Sequence, residues 1–222
     1  INIMDFNQAR RNMVDGQLTP NKIVNAQVIE RFLKIPREYF VDVSFKNMAY
    51  RDNPVKIAVN RFMFPPMVTA HMVQALNPEH DDSVLVVASG TGYSASILAS
   101  LAGSVYGVED SLSLLEIARR ALLDASCKSV ILSDGKPEEG LDKKAPYSKI
   151  MVDVEVDYVP EALFDQLENE GVLVAVVKQN ENVSALKKYV KDANGKITEL
   201  TVREVVSIPT HPSFKKEQGF EF

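Results

Sequence analysis

The chain has one cysteine and three histidines, and it contains no apolar run approaching the roughly 20 residues that cross a bilayer. Cys127 cannot close an internal disulfide, and its neighbours Ser126 and Lys128 bring no companion metal ligand, so it reads as a buried or half-buried structural thiol. His71, His80 and His211 are scattered and form no ligand cluster, and no metal is expected. His71 follows Pro66 to Ala70 at a helix start and reads as a structural or surface residue. The segment Asp5 to Arg11 is polar where a secretory signal is apolar, which points to a cytoplasmic protein with no membrane partner. Positive charge is also short. There are 25 Lys and Arg against 30 Asp and Glu, a net charge of -5 that disfavours a nucleic-acid surface. Lys187, Lys188 and Lys191 are interleaved with Leu186, Tyr189 and Val190 at helical spacing, which predicts a solvated helix face.

What is present is a chain with 45% hydrophobic and 25% charged residues, enough apolar content for one principal core across residues 1–222. Phe6, Ala9, Met13 and Val14 repeat at helix spacing, and so do Val24, Val28, Ile29 and Phe32 before Pro36 interrupts the pattern. Residues 1–65 are therefore expected to form a helical cap. From Ser83 onward, short β-rich runs alternate with helical runs, the pattern of βαβ units around a mostly parallel sheet with helices on both faces. The strands are expected at Val84 to Val87, Val105 to Val108, Val130 to Leu132, Ile150 to Val152 and Val172 to Val177. Helices are expected at Tyr93 to Ala102, Leu112 to Leu123 and Pro160 to Leu167. A further helix is placed near Ala185 to Lys191, and Ile197 to Val206 is read as an antiparallel strand after Asn194 and Gly195. Residues 66–222 thus form a Rossmann-like α/β core.

Ser83 to Tyr93 reads SVLVVASGTGY, a buried strand that enters a small-residue loop and then a helix. Gly90 and Gly92 remove side chains where a backbone must approach a ligand, although the pair alone fits a plain tight turn equally well. The next strand is followed by Glu109, 17 residues beyond Gly92, where nucleotide-binding α/β folds set an acid against ribose hydroxyls. Alone, Glu109 is also a strand-end acid facing solvent; the ordered series of strand, glycine loop, helix, strand and acid favours the nucleotide site. Asp134 and Gly135, after the third strand, stand where an adenine ring would rest, or form an Asp-Gly turn. The three-glycine dinucleotide fingerprint is missing, because its third position falls on Ala95. A dehydrogenase is therefore secondary to an S-adenosylmethionine site, which has no pyrophosphate to hold.

The chain resembles the protein-L-isoaspartate O-methyltransferases, a class I S-adenosylmethionine-dependent family, over nearly its whole length. The matching residues are Met13, Val14, Gln17 and Leu18; Pro36, Arg37, Glu38 and Phe40; Tyr50, Asp52 and Pro54; and Pro66 with Ala70. They continue through VLVVASGTGY, Val108 with Glu109, Asp134 with Gly135, Pro146 with Tyr147, and Pro160 through Leu167. The resemblance implies S-adenosylmethionine as cofactor, and damaged proteins or peptides bearing isoaspartate as substrate. Ala88, Ser89, Gly90, Thr91 and Gly92 would meet its methionine portion, Glu109 the ribose, and Asp134 with Gly135 the adenine.

Departures from the family fall near the methyl-transfer end. The family's Thr-x-Ser-x-Pro segment reads here Phe62, Met63, Phe64, Pro65, Pro66, so two phenylalanines replace its hydroxyl residues. Val86 stands where the family usually has Glu, and Ala88 where it has its first loop glycine. A carboxylate is already ionised at neutral pH, so methyl transfer to it needs no general base. No residue is assigned as catalytic acid or base, and the family serine position is Phe64. Loss of one hydrogen bond to the acceptor carboxylate costs roughly 1.5 to 3 kcal/mol, which predicts reduced or altered activity. Phe62 and Phe64 either line the substrate pocket or pack the cap onto the sheet. Asp153 and Glu155, after the fourth strand, either face the substrate or are loop acids in solvent. Two other readings stay open, a methyltransferase for a different substrate and a cofactor-binding or interaction protein without catalysis.

Overall fold

The computed structural model describes residues 3–217. α1 (Phe6–Met13) begins at Asp5, whose side chain accepts from the Gln8 N–H, and continues through a wide turn over Val14–Leu18. α2 (Ala26–Lys34) is capped by Asn25, which accepts from the Gln27 and Val28 N–H groups, and ends two residues before Pro36, leaving Ile35 extended as the residue before a proline prefers. The cap is tied down by a buried polar knot. Arg10 Nη2 lies 3.0 Å from Glu38 Oε1, Arg10 Nε donates to the Tyr50 hydroxyl at 2.8 Å, and that hydroxyl donates to Glu38. Next to it, fully buried Arg37 donates to the carbonyls of Ala49 and Phe64. Residues 1–65 are not wholly helical: β1 (Val55–Ala58) and β2 (Arg61–Met63) form an antiparallel hairpin that turns at Asn60, where φ is +57°. A strand of three residues is too short to leave a period-2 signature.

After α3 (Pro66–Leu76) come β3 (Ser83–Val87), α4 (Tyr93–Leu98), β4 (Ser104–Glu109), α5 (Leu112–Asp124) and β5 (Val130–Asp134). Then follow β6 (Tyr147–Val156), α6 (Glu161–Asp165), β7 (Leu167–Lys178), β8 (Val183–Lys191) and β9 (Ile197–Val206). The seven-stranded sheet runs β5-β4-β3-β6-β7-β8-β9, parallel from β5 to β7 and antiparallel from β7 to β9. Along β3 the side chains alternate. Val84 and Val86 pack with Met13, Phe32, Phe40 and Met72 on the cap side, and Leu85 and Val87 with Tyr147, Ile150 and Leu173 on the other. Val86 is thus part of the core.

The helix expected at Ala185 to Lys191 is strand β8 instead. Leu186 and Tyr189, three residues apart, belong to the two opposite cores, so their spacing reflects two covered faces of one strand. A register shift at Leu186/Lys187 adds to the irregularity. The lysines of this stretch form no helix face: Lys187 pairs with Glu199 on β9, and Lys191 Nζ donates to the Phe164 and Leu167 carbonyls.

Candidate active site

Sequential strands step from β3 to β5 in one direction and from β6 onward in the other, so the sheet order reverses between β3 and β6. Open α/β sheets bind ligands at the carboxyl ends of the strands flanking such a reversal. Here those ends carry the loop from Ala88 to Gly92, Glu109 and Asp153. Gly90 and Gly92 have φ of +58° and +91°, which L side chains rarely adopt. Ala88 takes the same left-handed region at +56° although it carries a Cβ.

Glu109 is fully buried at the end of β4. Its Oε1 accepts from Arg61 Nη2 at 2.5 Å and from the Gly90 N–H at 2.8 Å; its Oε2 accepts from Arg61 Nη1 at 2.7 Å and from the Ser111 N–H at 2.9 Å. Burial alone would raise its pKa, but the guanidinium and backbone donors outweigh burial and hold the carboxyl at about 2. Asp110 lies 3.6 Å from Arg61 Nη1 and 3.7 Å from His211 Nε2. Burial, then the neighbouring Glu109, push the Asp110 carboxyl up, whereas burial and Arg61 lower His211 to about 4, leaving it neutral near pH 7. None of Arg61, Asp110 and His211 was singled out from the sequence as a site residue. Asp110 follows the recognised acid directly, and Arg61 adjoins the altered Phe62 to Phe64 segment.

A cavity of about 10 Å³, room for a single water, lies between the hairpin and the loop. Arg61, Phe62, Phe64, Ala88, Ser89, Gly90, Thr91 and Asp153 all reach it, so the predicted loop and both phenylalanines converge on one place. Ile57 closes it from the hairpin, standing 3.1 Å from where a methyl on Gly90 would be. Phe64 is buried, and besides lining this cavity it packs in the cap-side core. Asp134 and Gly135 stand further out at the end of β5, with Asp134 exposed and in register with Glu109.

Asp153 and Glu155 do not follow the fourth parallel strand but lie within it, because β6 runs on to Val156 with a register shift between Met151 and Glu155. Asp153 lines the cavity, and burial pushes it up to about 7. Glu155 is neither a loop acid nor a cavity wall. It is fully buried and accepts from Ser184 Oγ at 2.5 Å, Ser207 Oγ at 2.9 Å and the Ile208 N–H at 3.1 Å, pinning the C-terminal segment to the sheet. His71 is buried beside Arg203, and Cys127 is half-buried with its thiol pKa raised by burial.

The polar atoms at this end suit a nucleoside ligand. Ser89 Oγ, Tyr93 OH and Arg61 Nε are buried around the cavity without a partner. What does not suit it is the room, which Arg61 and Ile57 take. A mostly parallel sheet whose order reverses between β3 and β6, a glycine loop after β3 and an acid ending β4 form a Rossmann-like architecture of the kind class I methyltransferases have. Residues 8–214 match the family described as Protein-L-isoaspartate(D-aspartate) O-methyltransferase. The chain is 30% identical over 213 residues to the Protein-L-isoaspartate O-methyltransferase of Ignicoccus hospitalis, covering 95% of this chain and 99% of that one. With the Thermosipho melanesiensis enzyme of the same name it shares 34%, over 84% and 94% of the two chains. A solved protein-L-isoaspartate O-methyltransferase superposes with a TM-score of 0.76 at 22% identity, over 93% of this chain and 66% of its own length. A Plasmodium falciparum structure in complex with S-adenosyl-L-homocysteine gives 0.75 at 16% identity, over 94% and 99%. The chain belongs to the protein-L-isoaspartate O-methyltransferase family, whose members use S-adenosylmethionine.

Proposed function

We propose that residues 1–222 form one methyltransferase domain, with residues 1–65 capping residues 66–222, that methylates isoaspartyl carboxyl groups in damaged cytoplasmic proteins and peptides. The observation that carries this reading is Glu109, buried and ionised at the end of β4 beside the Gly90 N–H, in a chain of this family. Ser89, Gly90, Thr91 and Gly92 would hold the methionine portion of S-adenosylmethionine, Glu109 the ribose, and Asp134 with Gly135 the adenine side. When bound, that cofactor supplies an electrophilic methyl group on a sulfonium.

The protein's own task is to place a carboxylate and keep water out. An isoaspartyl carboxylate carries its charge at neutral pH, so no side chain has to remove a proton. Phe62 and Phe64 supply an apolar wall that excludes water but returns none of the hydrogen bonds an acceptor carboxylate loses on entering. Asp153, pushed up to about 7 by burial, is protonated in a large share of molecules near neutral pH and in that form donates to an acceptor carboxylate instead of repelling it. The test is transfer of tritiated methyl from S-adenosylmethionine to an isoaspartyl peptide, with the matching aspartyl peptide as control. Base-labile label on the first peptide alone is the expected result; no label above background at high enzyme concentration would falsify the reading.

A further inference from the structure

We propose that Arg61 is the residue that recognises the acceptor carboxylate, and that it is held on Glu109 until a ribose diol displaces it. This rests on the methyltransferase reading above and assigns the substrate anchor that the Phe62 to Phe64 segment no longer provides.

The hydrogen bonds around Glu109 leave no acceptor free. Four donors fill its two oxygens, and two of them, the Gly90 and Ser111 N–H groups, are backbone atoms fixed at the ends of β3 and β4. A diol needs two acceptor positions, so only the two taken by Arg61 can be given up. Arg61 stands on β2, which pairs with β1 in a two-stranded sheet of its own and shares no strand pairing with the seven-stranded sheet. Lifting this hairpin breaks no hydrogen bond of the main sheet. The same movement carries Ile57 off the glycine loop, which a nucleoside also requires, since the closed cavity holds only about 10 Å³.

Once displaced, the guanidinium has to find another anion, because a buried unpaired charge is strongly unfavourable. Arg61 is the single cation among the described residues that line the cavity, and it adjoins both phenylalanines. Its grip on Glu109 already shows the fork geometry with which arginine meets a carboxylate, two nitrogens on two oxygens, and its Nε has no partner. Asp110, 3.6 Å away and partly exposed, holds the side chain in the interval. Binding is then ordered: the cofactor takes Glu109, and the released Arg61 takes the acceptor.

The test is calorimetric titration of the full chain and of Arg61→Ala and Arg61→Lys. S-adenosylhomocysteine is titrated first, then an isoaspartyl peptide with and without saturating S-adenosylhomocysteine. The wild type is expected to bind the peptide only in the presence of S-adenosylhomocysteine. Arg61→Ala is expected to bind S-adenosylhomocysteine about ten- to hundredfold more tightly and the peptide at least about tenfold more weakly, the range of one or two charged hydrogen bonds. Arg61→Lys keeps the charge but not the fork and is expected to fall between. Equal or weaker S-adenosylhomocysteine binding by Arg61→Ala overturns the latch, and unchanged peptide affinity overturns the anchor. If Arg61→Ala does not fold, peptide binding by the wild type without S-adenosylhomocysteine overturns the proposal unaided. Failure of every form to bind S-adenosylhomocysteine would instead remove the methyltransferase reading.

Discussion

Arg61 and Glu109, 48 residues apart in the chain, meet through two hydrogen bonds of 2.5 and 2.7 Å with both side chains almost wholly out of water. A buried pair of this kind contributes little net stability when intact and costs about 3 to 5 kcal/mol when one partner is removed, because the other charge stays buried. Glu109→Gln is therefore expected to lower the free energy of unfolding, measured by urea titration, by an amount in that range. The double variant Glu109→Gln with Arg61→Met should recover most of the loss. A double variant as unstable as the sum of the two single ones would show that the pairing carries none of the effect.

Asp153 gives stability a dependence on pH. Its folded pKa of about 7 lies above the reference value near 4, so between those limits the folded protein keeps a proton that the unfolded chain has released. Asp153 therefore makes stability fall as pH rises from about 4 to about 7. Asp153→Asn removes that loss, and its Tm advantage over the wild type should grow between pH 4 and pH 8. An advantage of the same size at both ends contradicts the assignment.

Ala88 sits at φ +56°, a conformation that costs an L residue roughly 1 to 2 kcal/mol. Ala88→Gly relieves this strain but loses a buried methyl worth about 0.8 kcal/mol and adds unfolded-state entropy of about the same size. The two sides nearly cancel, and denaturant titration should find a change below about 1 kcal/mol. Gly92 has no such balance. At φ +91°, with Leu122 3.3 Å from an added Cβ, Gly92→Ala is expected to cost more than about 1 kcal/mol.

Glu155 fastens the segment after β9 to the sheet. Glu155→Ala leaves the Ser184 and Ser207 hydroxyls and the Ile208 N–H without their acceptor, at about 1 to 3 kcal/mol for each group that water cannot reach. Destabilisation of at least about 3 kcal/mol and faster proteolytic cutting near Ser207 to Thr210 are expected, with Glu155→Gln milder on both counts. Unchanged proteolysis would show that the segment is held by other contacts.

The central parallel strands were legible because burial on both faces leaves continuous apolar runs, Val84 to Val87 being the clearest. The loop at Gly90 and Gly92 was legible because left-handed backbone selects glycine. β8 was misread because a strand with two covered faces and a bulge places apolar residues three apart, as a helix does. The role of Glu155 was not legible, since nothing local distinguishes an acid that faces solvent from one that collects hydroxyls arriving from residues 184 and 207.

The sequence by itself determined the parallel part of the sheet, the glycine loop after β3 and the acid at the end of β4, since periodicity, glycine placement and a strand-end acid are properties of short segments. Only the tertiary structure decided that Glu109 is already occupied. That pairing depends on a three-residue strand folding back over a loop about 30 residues further along the chain, and long-range contacts between charged side chains leave no period in a sequence.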